Sequence, residues 1–206
     1  MTTHKITISH PIHNTLPTAT LLSLLHNHDR MLSLQPNVSS YFSQPNPAST
    51  ESSVEGEESD TADIEVEAQA EINDLTQNGF LNPQRMRVYG VKEEIVPHVG
   101  VVHFRTAFES TDDGLKATVV APMGLRMRVT WRVCGASTAE TETQDAKTRQ
   151  GDEGRMLSET CEITVNAMLM PFVEWQFRKA HESMLASVVK EAETGEEQGS
   201  AEREER

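Results

Sequence analysis

Residues 125–133 place the tightest constraint on this chain. Leu125, Met127, Val129, Trp131 and Val133 alternate with Arg126, Arg128, Thr130 and Arg132. Successive side chains of an extended strand point to opposite faces, so the apolar groups share one side and the polar groups the other. A helix would scatter the same residues around its circumference. The pattern calls for a half-buried strand of an antiparallel sheet, with one face solvated and the other covered.

The element that can cover it is also legible. A long helix is expected from about Met170-Pro171 to about Glu193. Val173, Phe177, Ala180, Met184 and Val188 recur along it at spacings of three and four and make one apolar stripe. Further strands precede it. Lys5 to His10 alternates, Arg85 to Val96 reads as extended, and Val102, Phe104, Thr106 and Phe108 share one face of the next strand. Thr111-Asp112-Asp113-Gly114 is a turn by composition, Leu115 to Ala121 leads into the arginine strand, and Leu157, Glu159, Cys161, Ile163 and Val165 alternate once more. After the first strand, Thr15 and Pro17 mark a helix start. Leu21, Leu24 and Leu25 face one way, and Met31, Leu32 and Leu34 continue into a second short helix before Pro36. Val38 to Phe42 offers another strand. The expected class is α+β, with the last helix closing over a curved antiparallel sheet.

Charge refines the domain organisation. The 206 residues carry 32 acidic and 18 basic side chains, a formal −14, but the excess is local. Gln44 to Asp74 holds ten acids and no base, Ala136 to Arg155 is −2, and Lys190 to Arg206 is −4, which leaves the other 138 residues at +2. The expectation is one domain over residues 1–193. It is interrupted by a disordered acidic insertion at about 44–74 and a polar loop at about 136–155, and a disordered acidic tail follows at 194–206. Such acidity argues against nucleic acid as a partner. No stretch approaches the ~20 apolar residues of a membrane span, and the first residues lack the apolar run of a signal peptide. Two cysteines, Cys134 and Cys161, cannot make a disulfide framework, so reduced thiols in a cytoplasmic protein are expected.

Three groups of residues then carry a resemblance. They are Ile6-Thr7-Ile8-Ser9-His10-Pro11-Ile12 with Leu21-Leu22-Ser23-Leu24-Leu25; Asp113-Gly114-Leu115 with Ala121-Pro122-Met123-Gly124-Leu125 and Trp131-Arg132-Val133; and Met170-Pro171-Phe172-Val173 with Lys179-Ala180-His181. Over residues 3–43 and 80–193 the chain resembles the START-like, helix-grip (SRPBCC) superfamily of birch-pollen allergen relatives and polyketide cyclases. Within it, the chain looks most like a fungal family of START-like proteins. The resemblance implies a seven-stranded antiparallel sheet wrapped around the C-terminal helix, with two short helices after the first strand and an apolar cavity between sheet and helix. Superfamily members bind lipids, sterols or aromatic metabolites there, and a minority catalyse cyclisation or isomerisation.

The candidate ligand-binding residues are the apolar ones that such a cavity would present: Phe104, Phe108, Met127, Val129, Trp131, Val173, Phe177 and Met184. Any core demands the same pattern, so packing competes with ligand contact for each. Trp131 stands apart because a buried indole N–H needs a partner. Two polar residues share the inward faces, Glu159 on its strand and His181 on the helix stripe. A carboxylate and an imidazole beside an apolar cavity can serve as general base and acid partner. Alternatively Glu159 sits at the sheet rim or pairs with Arg155, and His181 is a boundary histidine. The pairs His10/His13 and His26/His28 lack metal-ligand spacing, so neither metal nor cofactor is expected. Arg126, Arg128 and Arg132, with Arg105 nearby, form a basic row against which the acidic insertion can sit. Ser52, with Glu55 three residues on, resembles an acid-directed phosphorylation site.

Three functions compete on this basis. One is binding of a hydrophobic small molecule, another a cofactor-independent cyclase or isomerase using Glu159 and His181, and the last regulation through the acidic arm.

Overall fold

Seven strands form one antiparallel sheet in a computed structural model that describes residues 1–44, 59–96, 100–135 and 154–204. The strands are β1 (Thr2–Pro11), β2 (Val38–Gln44), β3 (Met86–Val96), β4 (Gly100–Thr111), β5 (Gly114–Ala121), β6 (Leu125–Cys134) and β7 (Met156–Val165). Their order in the sheet is β1-β7-β6-β5-β4-β3-β2, so the N-terminal strand adds onto the last one. The helices are α1 (Thr18–Leu25), α2 (His28–Ser33), α3 (Ser59–Gln77) and α4 (Met170–Glu204). The fold is therefore the expected helix grip, with α4 packing on β1, β7 and α1.

Local chemistry sets the joints. Pro17 caps α1 in an extended conformation and precedes the first helical residue rather than occupying the first turn. Asn27 separates the short helices and accepts the Arg30 amide at 3.1 Å, which caps α2. At the β4–β5 turn a Cβ on Gly114 would fall 1.9 Å from the Trp131 carbonyl oxygen, so only glycine fits. His26 Nε2 donates to the Thr111 and Gly114 carbonyls, each at 3.0 Å, and ties α1 to that turn. Arg155 donates to the Leu16 carbonyl and to Thr18, so it closes the start of α1 and is not the partner of Glu159.

The main core fills the inner face of the sheet. Ile6, Leu115, Trp131, Leu157, Cys161 and Ile163 meet Leu21 and Leu25 of α1 and Leu185 and Val188 of α4 there. A second, smaller core lies on the opposite face and corrects the sequence reading. Residues 59–74 of the acidic segment, expected to be disordered, belong to α3, whose Ile72 and Leu75 pack with Leu81, Met86, Val88 and Ala107. The reason is a stripe at Ala68, Ile72 and Leu75, spaced four and three, that the surrounding acids mask in any average of composition. Residues 45–58 of that segment, with Ser52 and Glu55, lie outside the described residues, as do residues 136–153 of the polar loop. The second correction concerns the tail: α4 continues to Glu204 instead of ending near Glu193.

The basic row explains why α3 sits where it does. Glu71, only 9% exposed, meets Arg126 Nη1 at 3.2 Å with one carboxylate oxygen and Arg128 Nη2 at 3.2 Å with the other. Arg132 pairs instead with Asp113 at 3.1 Å. Because both arginines bonded to Glu71 remain partly exposed, water replaces part of what a lost carboxylate gave them. Glu71→Gln is therefore expected to cost only about 1 kcal/mol. The loss should shrink at about 1 M NaCl, where screening is strongest. Urea denaturation at low and high salt checks this, and a loss that grows with salt would contradict it.

Candidate functional site

Between the sheet and the N-terminal half of α4 lies a cavity of about 120 Å3, on the order of ten times the space one water needs. It is lined from β4 by Phe104, Thr106 and Phe108, and from β6 by Leu125, Met127, Val129 and Trp131. Val173, Phe177, Ala180, His181 and Met184 of α4 form the opposite wall. All eight apolar residues expected to line such a space do so. The alternation on β4 and β6 aims them at one face, and the stripe on α4 supplies the lid. Phe108 stacks on Trp131 with centroids 6.4 Å apart, which fixes the indole plane at the floor.

The polar groups at the floor are in an unusual state. Trp131 is 1% exposed, and its Nε1–H has no hydrogen-bond partner among the described residues. Glu159 is fully buried beside it, since Trp131 and Glu159 face each other across the β6–β7 ladder. Glu159 Oε1 stands 2.5 Å from His181 Nδ1 in an ion-pair contact that falls outside hydrogen-bond geometry. Phe177 stacks on the imidazole at 3.8 Å and holds its plane. The structure thus brings Glu159 and His181 together, but only His181 lines the cavity. With Nδ1 facing the carboxylate, Nε2 is the ring nitrogen left for a ligand.

Sequence reasoning missed a second carboxyl. Glu93 of β3 lines the cavity near the turn that carries Gln35, Pro36 and Asn37. Burial raises its pKa above the usual carboxyl value, while a hydrogen bond from Asn37 and the nearby His181 act in the opposite sense. The signal was present in the alternation, because Glu93 shares the parity of buried Tyr89 and Val91. At the mouth, Phe172 is 47% exposed and Gln176 follows one turn later.

Other candidates resolve simply. Burial, and then the charge of Glu159, push the Cys161 thiol above its ordinary pKa, so it stays a packed thiol and not a nucleophile. His28 Nε2 lies 3.1 Å from Ser110 Oγ and its ring stacks on Phe108, away from the cavity. Among the described residues no group of three His, Cys, Asp or Glu side chains converges as a metal site. No helix among them is long and apolar enough to cross a membrane.

A family model described as "Domain of unknown function (DUF7053)" matches residues 1–194. The chain belongs to this family. No curated protein matches this DUF7053 member. Among solved structures, the Zhui aromatase/cyclase from Streptomyces sp. R1128 superposes with a TM-score of 0.54 at 10% identity, covering 93% of this chain and 94% of that one. The di-domain ARO/CYC proteins BexL and StfQ each match with a TM-score of 0.55 at 10% identity, over 93% of this chain. The match covers 50% of BexL, from the BE-7585A biosynthetic pathway, and 51% of StfQ, from the steffimycin biosynthetic pathway. At such identity these likenesses establish the helix-grip fold and leave the activity open.

Proposed function

We propose that the protein binds a hydrophobic small molecule of lipid, sterol or polyketide-like character in the cavity between sheet and α4. The observation that carries this reading is the floor of the cavity. Trp131 lines a largely apolar wall, its buried indole N–H has no partner among the described residues, and leaving such a donor unpaired costs ~1–3 kcal/mol. A packed core has no use for that arrangement; a ligand oxygen does.

Nile red, a neutral fluorescent probe, should bind saturably to the full chain. Ala180→Phe, which fills the space from the helix side, should remove that binding without unfolding the protein. Native mass spectrometry of protein from its source cell should then show a small bound molecule. Failure of the wild type to bind the probe saturably would sink the proposal.

One observation favours a second reading, that of a cofactor-independent cyclase or isomerase. The Glu159–His181 contact of 2.5 Å puts an imidazole backed by a carboxylate on the cavity wall. That is the disposition needed for proton abstraction next to a carbonyl. Zhui is named as an aromatase/cyclase and BexL and StfQ as di-domain ARO/CYC proteins, and the shared fold supports this reading at the level of architecture alone. In it His181 would touch the substrate, and Glu159 would orient the imidazole from behind.

A further inference from the structure

The cavity wall is as informative for what it lacks as for what it holds. Among its described lining residues there is neither Lys nor Arg. The ionisable groups there are Glu93 and His181, and His181 Nδ1 already faces the buried Glu159 carboxylate at 2.5 Å. Any positive charge on the imidazole is therefore matched from behind. A ligand anion would meet Glu93 on the wall and Glu159 one side chain away, without a cation of its own. An ionised group moved from water into such surroundings loses its hydration and gains nothing in exchange.

The floor selects in a complementary way. An indole nitrogen can only donate, so the buried Trp131 Nε1 asks for an acceptor oxygen, whether of a carbonyl, an ether or a hydroxyl, and an ammonium cannot satisfy it. The mouth adds the amides of Gln35, Asn37 and Gln176, which are polar but uncharged.

Resting on the binding function proposed above, we infer that the ligand is an uncharged apolar molecule bearing a carbonyl, ether or hydroxyl oxygen that accepts from Trp131 Nε1. Ionised fatty acids and phosphate esters are excluded from the same site. This divides the broad class of hydrophobic ligands: ketones and quinone-like or ester-bearing ring systems enter, and soaps and phospholipid headgroups do not.

Calorimetric titration of the full chain with three naphthalenes of matched shape separates the possibilities. Acetylnaphthalene carries the carbonyl, ethylnaphthalene lacks it, and naphthoate is its anionic counterpart. In the wild type at neutral pH, naphthoate should bind at least about tenfold more weakly than acetylnaphthalene. Trp131→Phe should weaken acetylnaphthalene by about tenfold and leave ethylnaphthalene within about twofold, because only the ketone loses a hydrogen bond. Glu93→Gln should narrow the penalty on naphthoate. The wild-type comparison and the Glu93 variant do not depend on the tryptophan variant folding. Naphthoate binding as tightly as the ketone, or equal losses of ketone and hydrocarbon in Trp131→Phe, would overturn the inference while leaving a binding protein. If none of the three binds the wild type, the binding function falls and the ligand class with it.

Discussion

Lowering the pH from 7 to 5 is expected to remove about 2 kcal/mol of folding stability through His28 alone, rising to roughly 3 kcal/mol near pH 4. His28 is 6% exposed, with Phe108 stacked on its ring at 5.3 Å, Tyr89 edge-on at 6.2 Å and Ser110 Oγ at 3.1 Å from Nε2. Its pKa is lowered from 6.5 to about 4, chiefly by burial, then by the positive charge of Arg87 and by His26, while Asp29 acts in the other direction. The unfolded chain protonates this imidazole below pH 6.5, whereas the folded chain resists until about pH 4. Between those values the unfolded state binds more protons, so acid favours unfolding. Glu93 has the opposite sign, because its raised pKa lets the folded state hold a proton more readily than the unfolded one. A whole-protein pH profile therefore mixes the two, and the variant His28→Gln isolates one. Urea midpoints at pH 7 and pH 5 should differ much less for His28→Gln than for the wild type. Equal differences in both would show that His28 is not the group responsible.

The legibility of this fold tracks the range of the forces that make it. The alternation of Leu125 to Val133 and the stripe from Val173 to Val188 are local signatures of burial, and each gave its element and its inward face directly. Because sheet and helix have one inner side each, eight residues chosen from period and from the cavity that the resemblance implied converge on one cavity. Glu159 was likewise readable as inward-facing from its place between Leu157 and Cys161. Its contact with His181 was not, since that depends on where α4 crosses β7. Glu93 needed more still: it matters because the turn at Asn37 and the helix at His181 both approach it, and the three lie far apart in sequence. The acidic segment fails differently. Its charge is real, but charge averaged over a segment cannot reveal a three-residue stripe, and Glu71 is drawn to the sheet by arginines more than 50 positions further on.

Glu159→Met is expected to stabilise the protein, by about 2 kcal/mol, while impairing whatever the cavity does. A carboxylate with no exposed surface has given up its hydration, and neither of its oxygens makes an aligned hydrogen bond. Its compensation among the described residues is His181 Nδ1 at 2.5 Å. Attraction in such a site rarely exceeds the desolvation it offsets, so an apolar side chain of similar length should serve the fold better. Methionine matches glutamate in length, and its flexible chain can settle against Ile8 and Trp131, the residues opposite position 159 on the neighbouring strands. Glu159→Gln separates charge from shape. It should regain less stability than the methionine variant, since it keeps a polar group without a proper partner. Thermal denaturation of the three proteins measures the first half of the expectation, and ligand titration the second. In the enzyme reading, Glu159→Met lowers turnover far more than affinity, because the imidazole loses the group that orients it. In the binding reading, affinity changes only modestly, because Glu159 lies behind the cavity wall and does not line it. A methionine variant destabilised by more than about 1 kcal/mol would mean that the pair is a structural lock between β7 and α4. It would then cease to be a cost that the fold carries for its site.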